Sequence, residues 1–83
     1  MNHKRIFQAV WIGPTDKRGH RVRIIDHRNG KSVVVPVPYD DNEHTSATVA
    51  QAFLLTKGIV CDSYGECKLG YFLTSDNFEN QIK

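Results

Sequence analysis

Apolar and polar positions in the first part of the chain alternate with a period of two, which marks strands rather than helix. Ile6 to Ile12 puts Phe7, Ala9 and Trp11 on one face and Ile6, Val10 and Ile12 on the other. A strand that is apolar on both faces is expected at the centre of a sheet. Gly13-Pro14-Thr15-Asp16-Lys17-Arg18-Gly19 interrupts the pattern as a loop, and His20 to Asp26 resumes it, with Val22 and Ile24 on one face and Arg21 and Arg23 on the other. Asn29-Gly30 predicts a two-residue type I′ turn, because that turn needs positive φ at both central residues. Such a turn sets Arg28 against Lys31, Ile25 against Val34, Ile24 against Val35 and Arg23 against Pro36. Pro36 and Pro38 then fall in non-hydrogen-bonded pairs, their missing N–H groups point away from the second strand, and the third strand must be an edge. The first strand keeps a free side for a later strand, in the order 3-2-1-4. Arg28 against Lys31 is a like-charged pair with a small cost.

Past Pro38 the period changes. Tyr39-Asp40-Asp41-Asn42 reads as a turn ending in N-cap residues, and a helix is predicted from about Glu43 to Lys57. Its apolar stripe is Ala47, Val49, Ala50, Phe53 and Leu54, with Gly58 just past its end. Ile59-Val60-Cys61 and Leu69-Gly70-Tyr71-Phe72-Leu73 read as short strands around a turn at Asp62-Ser63-Tyr64-Gly65-Glu66, followed by a frayed polar tail over 75–83. The expected fold is α+β: a small antiparallel sheet, formed by a three-stranded meander plus a C-terminal strand or hairpin, packed on one helix. Residues 1–83 are expected to form one domain.

Composition narrows the function classes. With 83 residues, 40% hydrophobic and 24% charged, the chain is ordinary globular material, too short for a multidomain enzyme. Apolar runs such as Val33 to Val35 and Ala52 to Leu55 fall far short of a membrane span, and Met1 to Arg5 leads into no signal-peptide core. A cytoplasmic protein with no membrane contact is expected. Net charge is only +2, yet residues 1–38 carry eight Lys/Arg against Asp16 and Asp26, while residues 39–83 carry three against seven acids. The basic half supplies the candidate binding residues: Lys17, Arg18 and His20 in one loop, Arg21 and Arg23 on one strand face, Arg28 and Lys31 beside the Asn-Gly turn. Arginine forks suit phosphates and carboxylates alike, so these residues are read as a partner-binding or nucleic-acid-binding surface, against the plainer reading of a solvated strand face. Phe7, Trp11 and Tyr71 are read as core rather than as base-stacking rings.

Catalytic chemistry is poorly supplied. No glycine-rich phosphate loop is present, and His44 with Cys61 is the sole nucleophile–base pairing the sequence offers, with nothing to orient it. Cys61 and Cys67 flank the predicted turn, which leaves three readings open: reduced structural thiols, a disulfide, or a shared metal, the first favoured because no second ligand pair follows at zinc spacing. The expectation is a non-enzyme with no cofactor and no metal.

The segments Ile12-Gly13-Pro14-Thr15-Asp16-Lys17-Arg18-Gly19-His20-Arg21-Val22, Ser32-Val33-Val34-Val35-Pro36 and Pro38-Tyr39-Asp40, before an alanine-containing helix, resemble a group of small proteins of bacterial phages and mobile elements. The resemblance spans roughly residues 7–57; Val35-Pro36-Val37-Pro38 and the Cys61/Cys67 region depart from it. It implies a protein that acts in a bacterial host by binding a host protein or ribonucleoprotein complex, including anti-defence inhibitors of the anti-CRISPR or anti-restriction type. Nucleic-acid binding through the basic hairpin is the alternative, a structural domain the third, and the edge strand offers a place for a second copy to form a homodimer.

Overall fold

The computed structural model describes residues 4–17, 19–38, 44–68 and 70–82. The fold is α+β, one helix and a five-stranded antiparallel sheet. The strands are β1 (Arg5–Ile12), β2 (Arg21–Asp26), β3 (Ser32–Pro36), β4 (Cys61–Cys67) and β5 (Gly70–Ser75), and the helix α1 (Ser46–Thr56) lies between β3 and β4 in the chain. The sheet order is β3-β2-β1-β5-β4. β1 is central, as its two apolar faces require, but the strand on its free side is β5, the second arm of the C-terminal hairpin.

That hairpin corrects the sequence reading. Asp62 to Glu66, expected as a turn, is most of β4, and the chain reverses after Cys67 instead. A polar segment with an internal glycine is tolerated because β4 is an edge: one ladder holds it, and both its faces meet water. A bulge between Cys61 and Ser63 and the charges of Asp62 and Glu66 blunt its free side. Cys61 and Cys67 sit at opposite ends of this strand, about 20 Å apart at the usual rise, so they can form neither a mutual disulfide nor a shared metal site. Gly70 has φ +134°, and a Cβ there would lie 2.1 Å from the carbonyl oxygen of Ala9 on β1.

The β2–β3 hairpin is also corrected. Asp26 N–H donates to the Lys31 carbonyl at 2.8 Å and Gly30 N–H to the Asp26 carbonyl at 2.8 Å, closing a four-residue loop over 27–30. Only Gly30 takes positive φ, at +76°, whereas Asn29 keeps negative φ and instead accepts the Lys31 N–H on its side-chain oxygen at 2.9 Å. Arg23 therefore pairs with Val34, Val22 with Val35 and Arg21 with Pro36, two residues away from the expected register. The Arg28/Lys31 like-charged pair does not form. Pro36 still occupies a non-hydrogen-bonded pair, since Val37 N–H reaches the His20 carbonyl at 3.0 Å, and β3 is an edge whose outward donors end at Val34.

The helix starts at Ser46, three residues later than expected, because Thr45 and Thr48 form a capping box: each side-chain oxygen accepts the other's backbone N–H, at 3.2 and 2.9 Å. The expected start at Glu43 and the preceding turn lie outside the described residues. At the other end Ile59 N–H bonds the Leu54 carbonyl and Gly58 N–H the Leu55 carbonyl, with Gly58 at φ +78°, a Schellman ending. Buried Ile59 and Leu54 supply the apolar contact that accompanies it. Val49, Ala50 and Leu54 pack on Phe7, Ala9, Val22, Ile24 and Leu73, so α1 covers one sheet face, and Ala47 is buried as well. Phe53 only borders this core.

The tail expected to fray is anchored through residue 82. Ile82 is buried, the Asn77 side chain donates to the Gly58 carbonyl at 3.2 Å, and the Asn80 side chain donates to the Lys57 carbonyl at 2.8 Å. Its strongest tie is Arg5, whose Nη1 donates to the carbonyls of Asn77 (3.2 Å) and Asn80 (2.5 Å) while Nη2 meets Asp26 Oδ2 at 2.5 Å, with both side chains of the ion pair fully enclosed.

Candidate functional site

Strand alternation sends Val10, Ile12, Arg21, Arg23, Ile25 and Val34 to the sheet face that α1 leaves open. This face has two halves. Toward one end, the His27 ring folds over it, bonding Gln8 Oε1 at 2.8 Å and lying 5.9 Å from the Phe72 ring, which leaves Gln8 only 8% exposed. Toward the other end nothing described covers the face. There Val34 is 44% exposed, Arg23 and Pro36 are exposed, and Arg21 is half-buried among apolar neighbours.

Arg21 and Arg23 stand about 6.7 Å apart along β2, and neither makes a hydrogen bond or ion pair among the described residues. Arg21 Nε is closed off from water with no acceptor. A buried donor left without a partner is uncommon and costs about 1–3 kcal/mol. The carboxylates at the rim of the sheet are occupied elsewhere: Lys4 Nζ lies 2.5 Å from Asp62 and 2.8 Å from Asp76. The Lys4 bond, with further help from Thr74, holds the Asp62 carboxyl down at about 2, and the bonds to Asp62 and then Asp76 raise the Lys4 amine above its ordinary value. Among the described residues, no carboxylate stands beside Arg21 and Arg23 on the uncovered half-face.

The structure does not bring the seven expected basic residues together. Arg21 and Arg23 form the shared centre. Lys17 is exposed in the β1–β2 loop, and Arg18 lies outside the described residues. His20 points to the other side of the sheet, where its Nδ1 accepts the Trp11 indole N–H at 3.0 Å and the two rings lie tilted at 48° with their centroids 5.2 Å apart. Arg28 is structural: its guanidinium donates to the Phe78 carbonyl and lies 5.4 Å from the Phe78 ring centre, tying the hairpin loop to the tail. Lys31 is exposed beside that loop. The two basic tips lie at opposite ends of β2, about 17 Å apart at its shortest, because an entire strand separates them.

Phe7 is core and Tyr71 packs against it, while Trp11 is 38% exposed and held by His20. His44 and Cys61 border different clefts. His44 borders an apolar cleft of about 500 Å³ between β3 and α1, whereas Cys61 borders a different one beside β4. Burial, followed by the neighbouring Asp62 charge, raises the Cys61 thiol pKa.

The important residues that sequence reading passed over are Arg5 and Asp26. Their positions carry a usable signal, since Arg5 shares odd parity with Phe7 and Ala9, and Asp26 shares even parity with Val22 and Ile24. Both are therefore placed on the buried face, where opposite charges must find each other. Among the described residues no helix is long and apolar enough to cross a membrane. Compared with known protein families, with curated proteins and with solved structures, the chain shows no match.

Proposed function

We propose that this chain is a non-enzymatic binding protein of phage or mobile-element type. It acts in the cytoplasm of a bacterial host cell by docking on a host protein or ribonucleoprotein complex and modulating it, in the manner of an anti-defence inhibitor. The observation that carries this reading is the uncovered half-face: two arginines unpaired among the described residues, beside exposed Val34 and half-buried Val10 and Ile12. Protein interfaces favour this composition, an apolar centre with arginine anchors and few other charges. The test is capture from nuclease-treated bacterial lysate by the tagged protein and by an Arg21→Glu/Arg23→Glu variant with matched melting behaviour. The expected result is a host complex that survives nuclease and is lost in the variant. Capture that disappears with nuclease points to the alternative, nucleic-acid binding through the same arginines. That alternative also requires affinity for single-stranded or duplex nucleic acid that falls steeply with salt. Capture indifferent to the variant refutes the site.

A further inference from the structure

The chemistry of the uncovered half-face specifies more than a binding role. We infer, resting on that binding role, that it receives an acidic amphipathic α-helix of the partner protein. Two carboxylates one turn apart meet Arg21 and Arg23, and the helix's apolar stripe lies on Val10, Ile12, Ile25 and Val34.

Three observations lead there. The first is layering. An antiparallel sheet covered by a helix on one face usually turns polar side chains to water on the other, whereas here Val10, Ile12, Ile25 and Val34 lie on the open face, and a helix is one of the elements that packs on such a sheet face. The second is spacing. Residues four apart on a helix rise 6 Å along its axis, close to the roughly 6.7 Å between Arg21 and Arg23 along β2. A helix lying along β2 thus presents one carboxylate to each guanidinium while its apolar stripe faces the sheet. The third is charge. That half-face carries no carboxylate among the described residues, and neither Arg21 nor Arg23 is in an ion pair there. A carboxylate meets a guanidinium in the forked geometry arginine prefers.

Other occupants fit less well. A second copy docked face to face would set Arg21 and Arg23 against the same arginines. Single-stranded nucleic acid would need rings beside the cations on which bases could stack. Among the described residues the phenyl ring on this face, Phe72, lies instead on β5 against His27.

The test uses the full chain and a defined probe. A synthetic helical peptide of about five turns carries two Glu four residues apart beside a Leu/Val stripe; a control peptide has Lys at both Glu positions. Backbone amide shifts are followed by NMR during titration with each peptide and, separately, with an oligothymidylate. The Glu peptide is expected to move the amides of Val10, Ile12, Arg21, Arg23, Ile25 and Val34. It should bind the Arg21→Glu/Arg23→Glu variant at least about tenfold more weakly, or 1.4 kcal/mol, while the Lys peptide gains affinity for that variant. Absence of shifts, shifts indifferent to peptide charge, tighter binding of the oligothymidylate, or self-association through the same residues overturns the inference. Peptide failure alongside charge-sensitive capture of a host complex removes the helical partner and leaves the binding role intact. Failure of the capture removes the binding role itself.

Discussion

Replacing Asp26 with Asn changes almost no volume and removes one charge from the most enclosed ion pair of the fold. Asp26 Oδ2 lies 2.5 Å from Arg5 Nη2, with both side chains 0% exposed, and Oδ1 accepts the Arg28 backbone N–H at 3.0 Å. In the variant the Arg5 guanidinium stays buried. Its neutral acceptors are the Asn77 and Asn80 carbonyls, and its Nε already lacks a partner. Breaking a buried pair from one side costs about 3–5 kcal/mol, a large share of the roughly 4–12 kcal/mol expected for a domain of this length. At about 4–8 °C per kcal/mol for domains of this size, the melting temperature should fall by at least about 12 °C. Because Arg5 joins β1, the β2–β3 loop and the tail, protection of the tail amides against hydrogen exchange should fall with it. Replacing both partners, Arg5→Met with Asp26→Leu, removes the charges together and should be more stable than either single variant. Urea unfolding followed by far-ultraviolet circular dichroism, arranged as a double-mutant cycle, measures all four proteins. An Asp26→Asn variant within about 1 kcal/mol of the parent, or a cycle with no coupling, refutes the reasoning.

Two further outcomes follow from particular atoms. Gly70→Ala puts a Cβ 2.1 Å from the Ala9 carbonyl oxygen at a φ of +134° and should cost about 1–3 kcal/mol or more, read as a lower urea midpoint; an unchanged midpoint would mean that β5 does not approach β1 as described. The Asp62 carboxyl is lowered from 3.8 to about 2, so its stabilising contact is fully present above 3.8 and is lost as pH falls through about 2. The raised Lys4 amine contributes below 10.5 and loses its contribution as pH rises through its higher folded value. Urea midpoints measured across the acid range should therefore decline less in Asp62→Asn than in the parent, and parallel profiles would refute the contact.

The sequence made some of this architecture legible because a period of two constrains faces more tightly than partners. The Asn-Gly turn gave a register two residues from the observed one, and an even shift returns every side chain to the same face. Val22 and Ile24 thus remain on the core side, Arg21 and Arg23 on the open side, and Pro36 in a pair that needs no donor. Turn type was not legible because Asn29 has a competing use for its side chain, holding the Lys31 N–H, while Asp26 holds the Arg28 N–H. β4 was hidden for a related reason: at an edge strand water satisfies what the ladder does not, so composition there resembles a turn.

The sequence reading of the basic residues placed Arg21 and Arg23 on one face correctly but joined residues that the fold keeps apart. Counting cations along the chain joined seven residues that strand geometry distributes over two faces and two ends of β2. Parity alone separates them, since His20 falls on the side of Val22 and Ile24 while Arg21 and Arg23 fall on the other. Whether a cation is free requires knowledge of long-range partners: Arg28 is occupied by Phe78, fifty residues away, and Lys4 by Asp62 and Asp76. Subtracting the occupied cations leaves Arg21 and Arg23 as the pair that shares a half-face with exposed Val34 and half-buried Val10 and Ile12. A chain of net charge +2 can in this way set two like charges side by side. Asp26, Asp62 and Asp76 are engaged by Arg5 and Lys4, so among the described residues no acid answers the two arginines on the open face.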